Sequence, residues 1–209
     1  MKKNIIKTIF ALSITAISLV SCVNDNDYEI PKFTVPFYTL DFKGEPDGVG
    51  VAANIPNTIN TNLTSTPVWE IRKFNGNEYI QFSSYNNPEN TNDDAWFILP
   101  GVEVIPNQKL GLDFKLAQAF PSSTFPLTVS YSIDFDGNPN NINTAVWTQI
   151  PFSFPSTRPN YEFLKIKDLT YLNEGNETLK VYFALNYKGA KNSNSTTMIQ
   201  VDNINLTLN

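Results

Sequence analysis

Carboxylates are the side chains through which this sequence could carry out metal or acid–base chemistry. Ser132, Asp134 and Asp136 place oxygen atoms at alternate positions before Gly137, a spacing typical of calcium loops. The distal glutamate of a full calcium loop is missing, and Asp-Gly is also a common hairpin turn. The pattern therefore favours a turn over a metal site.

Two acidic pairs could support glycoside hydrolysis. Glu70 and Glu78 flank a predicted hairpin, and Asp93 and Asp94 lie together on a predicted loop. Hydrolysis of a glycosidic bond needs two carboxyl groups about 5 to 9 Å apart. Pairs of this kind are common in an acidic chain, so a hydrolase is the least favoured function.

A polar loop follows the predicted strand Glu78–Ser83 and carries Tyr85, Asn86 and Asn87. A tyrosine ring can stack on the apolar face of a sugar, and amides can bind the sugar hydroxyls. Loops on a rigid β scaffold commonly carry function. These three residues are the predicted ligand-binding residues.

The elements that would position these side chains are strands, because apolar residues alternate with a period of two from Thr34 onward. Turns rich in glycine, proline and asparagine separate the alternating runs. The predicted strands are Thr34–Phe42, Val68–Phe74, Glu78–Ser83, Ala95–Leu99, Lys109–Leu116, Leu127–Phe135, Ala145–Phe152, Tyr161–Ile166, Leu179–Tyr187 and Thr196–Leu208. About ten antiparallel strands without a convincing amphipathic helix predict an all-β sandwich or jelly roll.

Two local features refine that prediction. Asn75-Gly76-Asn77 is a turn sequence of the kind that hairpins prefer. The tryptophans Trp69, Trp96 and Trp147 fall within strand patterns, which predicts that all three pack in the core.

The first 21 residues have the three parts of a secretory signal. Three lysines precede an apolar stretch, Ile9–Val20, which is too short to span a bilayer because a span needs about 20 residues. The stretch ends in Leu19-Val20-Ser21-Cys22, which resembles the lipobox of bacterial lipoproteins. That resemblance implies cleavage before Cys22, the only cysteine, and attachment of lipid to its thiol. We therefore expect residues 1–21 to be a lipoprotein signal peptide.

Residues 22–33 are polar and mostly acidic, which predicts a flexible tether before a single domain at 34–209. Acidic residues just after a lipidated cysteine also resemble the surface-export signal of some Gram-negative lipoproteins, and a plain spacer is the alternative. We expect a protein anchored by lipid in the cell outer membrane and exposed at the surface.

Composition excludes several kinds of chemistry and partner. Histidine is absent, which removes His-dependent triads and His-ligated zinc. The net charge is −5, and loss of the three lysines of the leader would make it −8. An acidic chain argues against nucleic acid as a partner, because lysine and arginine contacts to phosphate supply most of that affinity.

Several short sequence phrases follow one another in a recognisable order along residues 37–208. They are Asp41-Phe42-Lys43-Gly44, Trp69-Glu70, Gly76–Tyr85, Asn92–Pro100, Val129–Gly137, Trp147–Ile150 and Val201–Ile204. Together they resemble choice-of-anchor family J domains, which are related to the cleaved-adhesin modules of bacterial surface haemagglutinins. The resemblance implies a jelly-roll sandwich whose first and last strands pair or lie adjacent. It also implies a binding or adhesive role, sometimes with structural calcium, and no reaction.

The implied calcium site would involve Asp41 and Asp202, which such a fold brings together from the first and last strands. Glu45 and Asp47 follow on the same loop as Asp41 and could add further oxygen ligands, of which calcium takes six to eight. Lys43 stands where relatives usually carry an acid. The alternative is that both aspartates accept hydrogen bonds from the backbone at strand ends.

The sequence thus predicts a surface-anchored lipoprotein whose non-catalytic jelly-roll domain binds carbohydrate or a protein in adhesion or ligand capture. A structural or assembly subunit of a cell-envelope complex is the first alternative, and a carboxylate-based glycoside hydrolase is the second. The expected partners are the membrane, through lipid on Cys22, and a glycan or cell-surface protein. Structural calcium is the only cofactor expected, and nucleic acid is not an expected partner.

Overall fold

The computed structural model describes residues 35–88 and 91–209, and these form an all-β sandwich. Twelve strands in these residues make two six-stranded antiparallel sheets. The strands are β1 (Tyr38–Leu40), β2 (Ile59–Asn62), β3 (Glu70–Phe74), β4 (Asn77–Phe82), β5 (Asn92–Ile98), β6 (Val102–Val104), β7 (Lys109–Ala119), β8 (Leu127–Ser132), β9 (Thr148–Ile150), β10 (Leu164–Leu172), β11 (Leu179–Ala190) and β12 (Met198–Leu208). The predicted jelly-roll β-sandwich is confirmed.

One long strand organises each sheet. Sheet I has the order β10-β7-β12-β4-β3, and β1 pairs with the remaining length of β12. Sheet II has the order β2-β5-β11-β8-β9, and β6 pairs with β11 in the same way. Leu40 of β1 lies opposite Ile204 of β12, so the first and last strands are neighbours, as the family resemblance implies.

The core lies between the two sheets and follows from the alternation along the strands. Leu112 and Phe114 of β7 join Phe183 and Leu185 of β11 in one cluster, and none of the four is more than 1% exposed. Trp69 is fully buried in the same cluster. Burial of each such aliphatic or phenylalanine side chain contributes about 1.5–3 kcal/mol to stability, so this cluster fixes which face of each strand points outward.

The predicted turn at Asn75-Gly76 closes the hairpin between β3 and β4. Both residues have positive φ angles, 50° for Asn75 and 80° for Gly76, and Phe74 pairs directly with Asn77 across the turn. Two-residue hairpin turns with positive φ at both positions match the twist of the flanking strands. The turn therefore places Phe74 and Asn77 together at one end of sheet I.

Ten of the twelve strands correspond to predicted strands, with shifted ends. The two that alternation did not reveal are β2 and β6. The β2 sequence, Ile-Asn-Thr-Asn, is mostly polar, and β6 has only three residues, so neither is long enough to display a period of two. The predicted first strand is short, since β1 spans only Tyr38–Leu40 among the described residues.

A β-bulge interrupts β12 beside its partner β7. The register of the pair shifts between Asp202 and Asn205, and Asn203 has a φ of 49°. The buried residues Val201 and Ile204 are consequently three positions apart rather than two. A bulge inserts one extra residue and redirects the neighbouring side chains, and here the affected side chain is that of Asp202.

The predicted signal peptide, Cys22 and the tether at 22–33 lie outside the described residues. Within residues 35–88 and 91–209, no helix has the length and apolar character needed to cross a membrane.

Candidate functional site

A cleft of about 600 Å³ opens on the outer face of sheet I. Its floor and one wall consist of the residues that alternate with core residues along β3, β4, β7 and β12. The other wall comes from the segment that connects β9 to β10. The volume lies within the range of about 300–1,000 Å³ that is usual for small-molecule sites.

The floor of the cleft is polar and comes from three neighbouring strands. Gln200 of β12 lies opposite Gln81 of β4, and its Nε2 donates a hydrogen bond to Gln81 Oε1 at 2.9 Å. On the other side of β12, Asp202 lies opposite Lys115 of β7. The floor therefore presents two amides, a carboxylate and an ammonium group.

Asp202 is held in the floor by neutral hydrogen-bond donors. Its carboxylate accepts hydrogen bonds from the backbone N of Asn203 and from Asn203 Nδ2, both at 2.6 Å, and from Asn77 Nδ2 at 3.3 Å. The residue is only 1% exposed. Burial raises the pKa of Asp202, because desolvation of the charged form outweighs the effect of these donors.

The first wall is the segment 151–163, which passes from the edge of sheet II to the edge of sheet I. Tyr161 N donates to the carbonyl oxygen of Gln118 at 2.8 Å, and Phe120 N donates to Asn160 Oδ1 at 3.1 Å. The half-exposed ring of Tyr161 lies edge-on to Phe120, with ring centroids 6.1 Å apart. These contacts fix the Tyr161 ring at the rim of the cleft.

Phe163 completes this wall by reaching over the sheet. Its ring lies 5.8 Å from that of Tyr79 on β4, although β7 and β12 separate β10 from β4. Ala117 and Ala119 lie on the same outer face of β7 and are fully buried, which places the segment over them. Tyr79 is 8% exposed, and burial raises its pKa.

The second wall comes from the hairpin of β3 and β4. Arg72 lies opposite Tyr79 in the register of the pair, and its Nη1 is 3.3 Å from Glu70 Oε2. The other oxygen of Glu70 accepts a hydrogen bond from Gly50 N at 2.9 Å. Phe74, at the end of the hairpin, is 66% exposed. This wall thus combines an apolar ring with a guanidinium group.

The arrangement is suited to binding a polar ring-shaped ligand. Aromatic rings on the walls can cover the apolar faces of such a ligand, while the amides and charged groups of the floor can bind its hydroxyl groups. Most of these side chains come from regular strands, which hold them more rigidly than loops would.

Paired carboxylates are not assembled in this cleft. Asp202 is the one carboxylate among the described residues that line it, whereas glycoside hydrolysis needs two. Of the acids considered in the sequence, Glu70 pairs with Arg72, and the buried Glu78 pairs with Lys73. The geometry therefore gives no support to the hydrolase hypothesis.

The predicted calcium pair, Asp41 and Asp202, is a poor fit to calcium in this structure. Asp41 Oδ2 lies 3.2 Å from Lys43 Nζ, and its Oδ1 accepts a hydrogen bond from Lys43 N at 3.2 Å. That backbone hydrogen bond is the main reason why the pKa of Asp41 is lowered. In the described part of the chain, no group of three or more acidic or sulfur-bearing side chains is placed to hold a metal. Calcium stays a prediction.

The predicted ligand-binding loop contains a 3₁₀ turn, Ser84–Asn86, and its residues do not share one exposed surface. The Tyr85 side chain is 67% exposed, as expected for a ligand contact. Asn87, in contrast, is 6% exposed and donates from Nδ2 to Asp93 Oδ2 at 2.6 Å. The placement of Asn87 therefore differs from the prediction, because its amide satisfies a buried carboxylate. The side chain of Asn86 is outside the described part of the structure.

The calcium-like sequence after β8 folds as a turn that its own acids hold together. Asp134 accepts hydrogen bonds from Ser132 Oγ at 2.7 Å and from Val146 N at 3.0 Å. Asp136 accepts from Asn138 N at 2.8 Å. These donors lower the pKa of both aspartates. The turn that the sequence favours is what the structure shows.

The tryptophans pack in two clusters. Trp69 lies in the core between the sheets, whereas Trp96 and Trp147 lie in a second cluster with Ile98 and Tyr182. The rings of Trp96 and Trp147 are 5.0 Å apart. All three therefore pack against other apolar side chains, although Trp147 is only partly buried.

Apart from Asp202, which the sequence assigns to a calcium site, the residues that form the cleft were missed by the sequence prediction. Alternation along β4 already implied that Tyr79 and Gln81 face away from the core. The walls could not be inferred in this way, because Tyr161 was assigned to a strand although it lies in a long connection. For Asp202, the spacing of three between Val201 and Ile204 was a usable signal of a bulge.

The fold and the cleft together define the class of this molecule as a β-sandwich domain with a ligand-sized cleft on one sheet. No protein-family model matches the sequence, and no curated protein matches it at a significant level.

Among solved structures, the chain is similar to the CBM22-1 xylan-binding domain from Paenibacillus barcinonensis Xyn10C. The two share 9% sequence identity with a TM-score of 0.47, and the match covers 84% of this chain and 95% of that domain. The chain is also similar to a cleaved-adhesin domain of Lys-gingipain from Porphyromonas gingivalis, with 15% identity, a TM-score of 0.48, and coverage of 83% and 99%. These identities and TM-scores are too low to transfer a function.

Proposed function

We propose that this protein is a non-catalytic binding domain whose ligand is a carbohydrate, held in the cleft on sheet I. The observation that carries the proposal is the composition of that cleft. Aromatic rings stand on its walls, and amide and charged groups lie on its floor. Sugars present the complementary surfaces, since each ring has apolar C–H faces and a rim of hydroxyl groups.

The geometry of the cleft sets the expected mode of binding. Gln81 and Gln200 already bond to each other, and the partly exposed Gln81 keeps its amide protons for a ligand. Tyr161 is half-exposed at the rim, and it can stack on a sugar without prior rearrangement. An open site of this kind binds weakly, with a Kd of about 10⁻⁴–10⁻³ M.

A pair of tyrosine substitutions tests the proposal. Tyr161→Ala removes an aromatic ring from the wall of the cleft, whereas Tyr85→Ala removes a more exposed ring on the predicted loop. A glycan array identifies a ligand, and isothermal titration then measures its affinity for each variant. The affinity should fall at least fivefold for Tyr161→Ala and remain unchanged for Tyr85→Ala, and the two variants should have similar melting temperatures. Loss of binding only in Tyr85→Ala would transfer the site to the loop and overturn the assignment to the cleft.

A protein ligand is the second candidate, and exposed aromatic rings favour it. Phe74 is 66% exposed and Phe120 is 62% exposed, both beside the cleft. Large exposed apolar side chains grouped on one surface commonly mark protein contacts. Failure of every glycan on the array, with a partner recovered by cross-linking through this face, would favour adhesion to a protein or a role as an assembly subunit.

The location of the domain is part of the same proposal. The lipobox-like sequence supports a lipid anchor at Cys22 in the outer membrane, with the domain on the outside of the cell. A tether at residues 22–33 would give the cleft access to ligands beyond the membrane surface.

A further inference from the structure

Cations outnumber carboxylates among the side chains that line the cleft, although the chain as a whole is acidic. The chain carries a net charge of −5. The cleft, however, is lined by two cationic side chains, Arg72 and Lys115, and by one carboxylate, Asp202. Local charge of one sign in a concave site raises the local concentration of ligands with the opposite charge.

Lys115 forms no salt bridge among the described residues, although it attracts Asp202 at longer range and so opposes the rise in the pKa of that carboxyl group. Other lysines of sheet I form salt bridges: Lys165 on the neighbouring strand lies 3.2 Å from Asp113, and Lys73 on β3 pairs with Glu78. Asp202 lies opposite Lys115, but no oxygen of Asp202 forms an ion pair with it in the described structure. The ammonium group is therefore available to a ligand at the floor of the cleft.

The hydrogen bonds of Asp202 explain why its oxygens do not form a salt bridge with Lys115. Three N–H donors, from Asn203 N, Asn203 Nδ2 and Asn77 Nδ2, converge on its two oxygens. Burial also favours the neutral form of this carboxyl group, because it raises the pKa.

Arg72 keeps donors that its ion pair does not use. Glu70 contacts only Nη1 of Arg72 among the described atoms, and a guanidinium group carries five N–H donors. The two cations belong to opposite sides of the floor, since β4 and β12 lie between β3 and β7. A ligand that spans the cleft can therefore meet both.

We infer that the ligand of this cleft is an oligosaccharide that carries an anionic group, a carboxylate or a sulfate, which binds Lys115. This inference rests on the proposed function and deepens it. The sugar ring packs against Tyr161 and Phe163, and the anionic group reaches the ammonium on the floor. Hydrogen bonds between ionised groups are roughly twice as strong as neutral ones, so the anionic group adds both affinity and selectivity.

The test compares three oligosaccharides of equal length by isothermal titration of the purified protein. An oligogalacturonate supplies carboxylates, a chondroitin-sulfate oligosaccharide supplies sulfates, and a xylo-oligosaccharide supplies neither. We expect at least one anionic ligand to bind about tenfold more tightly than the neutral one, equivalent to about 1.4 kcal/mol. Added salt should reduce that difference, since the site is open to solvent.

Lys115→Met should abolish the preference, so that this variant binds the anionic and the neutral oligosaccharides with equal affinity. Lys167→Met is the matched control, because Lys167 is an exposed lysine of β10 that does not line the cleft, and it should keep the full preference. Equal binding of anionic and neutral ligands by the wild type would overturn the inference and leave the proposed function standing. Absence of binding to all three and to the wider array would overturn both.

Discussion

Asp202 lies directly opposite Lys115 in the ladder between β12 and β7, yet its carboxylate accepts hydrogen bonds from Asn203 and Asn77 and forms no ion pair with that lysine. The bulge at Asn203 creates this arrangement, because the extra residue brings its own backbone N and amide to the carboxylate. One consequence is a buried acid in a ligand-sized cleft. A second consequence is that Lys115 forms no salt bridge in the described structure and can contact a ligand.

The raised pKa of Asp202 predicts a specific dependence of stability on pH. An acid whose pKa is higher in the folded state than its usual value of 3.8 stabilises the fold at low pH. That contribution is lost as the pH rises through the folded pKa. The free energy of unfolding of the wild type relative to Asp202→Asn should therefore fall as the pH rises above about 4, as measured by urea denaturation.

Asp134→Asn is the control, because it should show the opposite slope. Hydrogen bonds from Ser132 Oγ and Val146 N lower the pKa of Asp134. Its contribution to stability is present above the usual pKa and is lost as the pH falls through the folded one. A flat difference between the wild type and Asp202→Asn across this range would show that Asp202 is not desolvated in the folded protein.

The contacts of Asp41 predict that the domain does not depend on calcium for stability. Lys43 already supplies a positive charge to Asp41, and Asp202 is occupied by amide donors. The melting temperature should therefore be the same in excess chelator and in millimolar calcium. Calcium at a free concentration a hundredfold above its Kd would add about 2.7 kcal/mol to the stability, so a clear rise in the melting temperature with calcium would support the calcium site that the sequence predicts.

If lipid on Cys22 anchors the protein, substitution of that residue should move the protein out of the membrane fraction. Cys22→Ala should abolish labelling by a fatty-acid analogue and move the protein from the membrane fraction to the soluble fraction. Ser13→Ala, within the apolar stretch of the leader, should leave both unchanged. Membrane retention of unlabelled Cys22→Ala would show that something other than lipid holds the protein there.

Most of the fold could be predicted from the sequence because strands and turns are encoded by residues that lie close together in the chain. The buried face of a strand is predicted by the spacing of apolar residues alone, as for Leu112 and Phe114 or for Phe183 and Leu185. The turn at Asn75-Gly76 is predicted by the backbone preferences of those two residues. The strands β2 and β6 escaped prediction because their pairing depends on β5 and β11 rather than on their own residues.

The cleft could not be predicted because its parts are distant in the chain. Phe163 meets Tyr79 only after the 151–163 segment has crossed between the sheets, and no local pattern encodes that path. The burial of Asn87 could not be predicted for a related reason. The Asn87 amide donates a hydrogen bond to the buried carboxylate of Asp93, whereas the sequence alone shows only that asparagine is polar.

The central claim is that the cleft on sheet I binds a carbohydrate, and a titration followed by amide chemical shifts tests it most directly. Isotope-labelled protein would be titrated with oligogalacturonate and, separately, with a xylo-oligosaccharide. The account predicts that the largest shifts occur at Gln81, Lys115, Tyr161 and Gln200, with smaller changes elsewhere. Shifts centred on Tyr85, or none at any of these amides with either sugar, would contradict it.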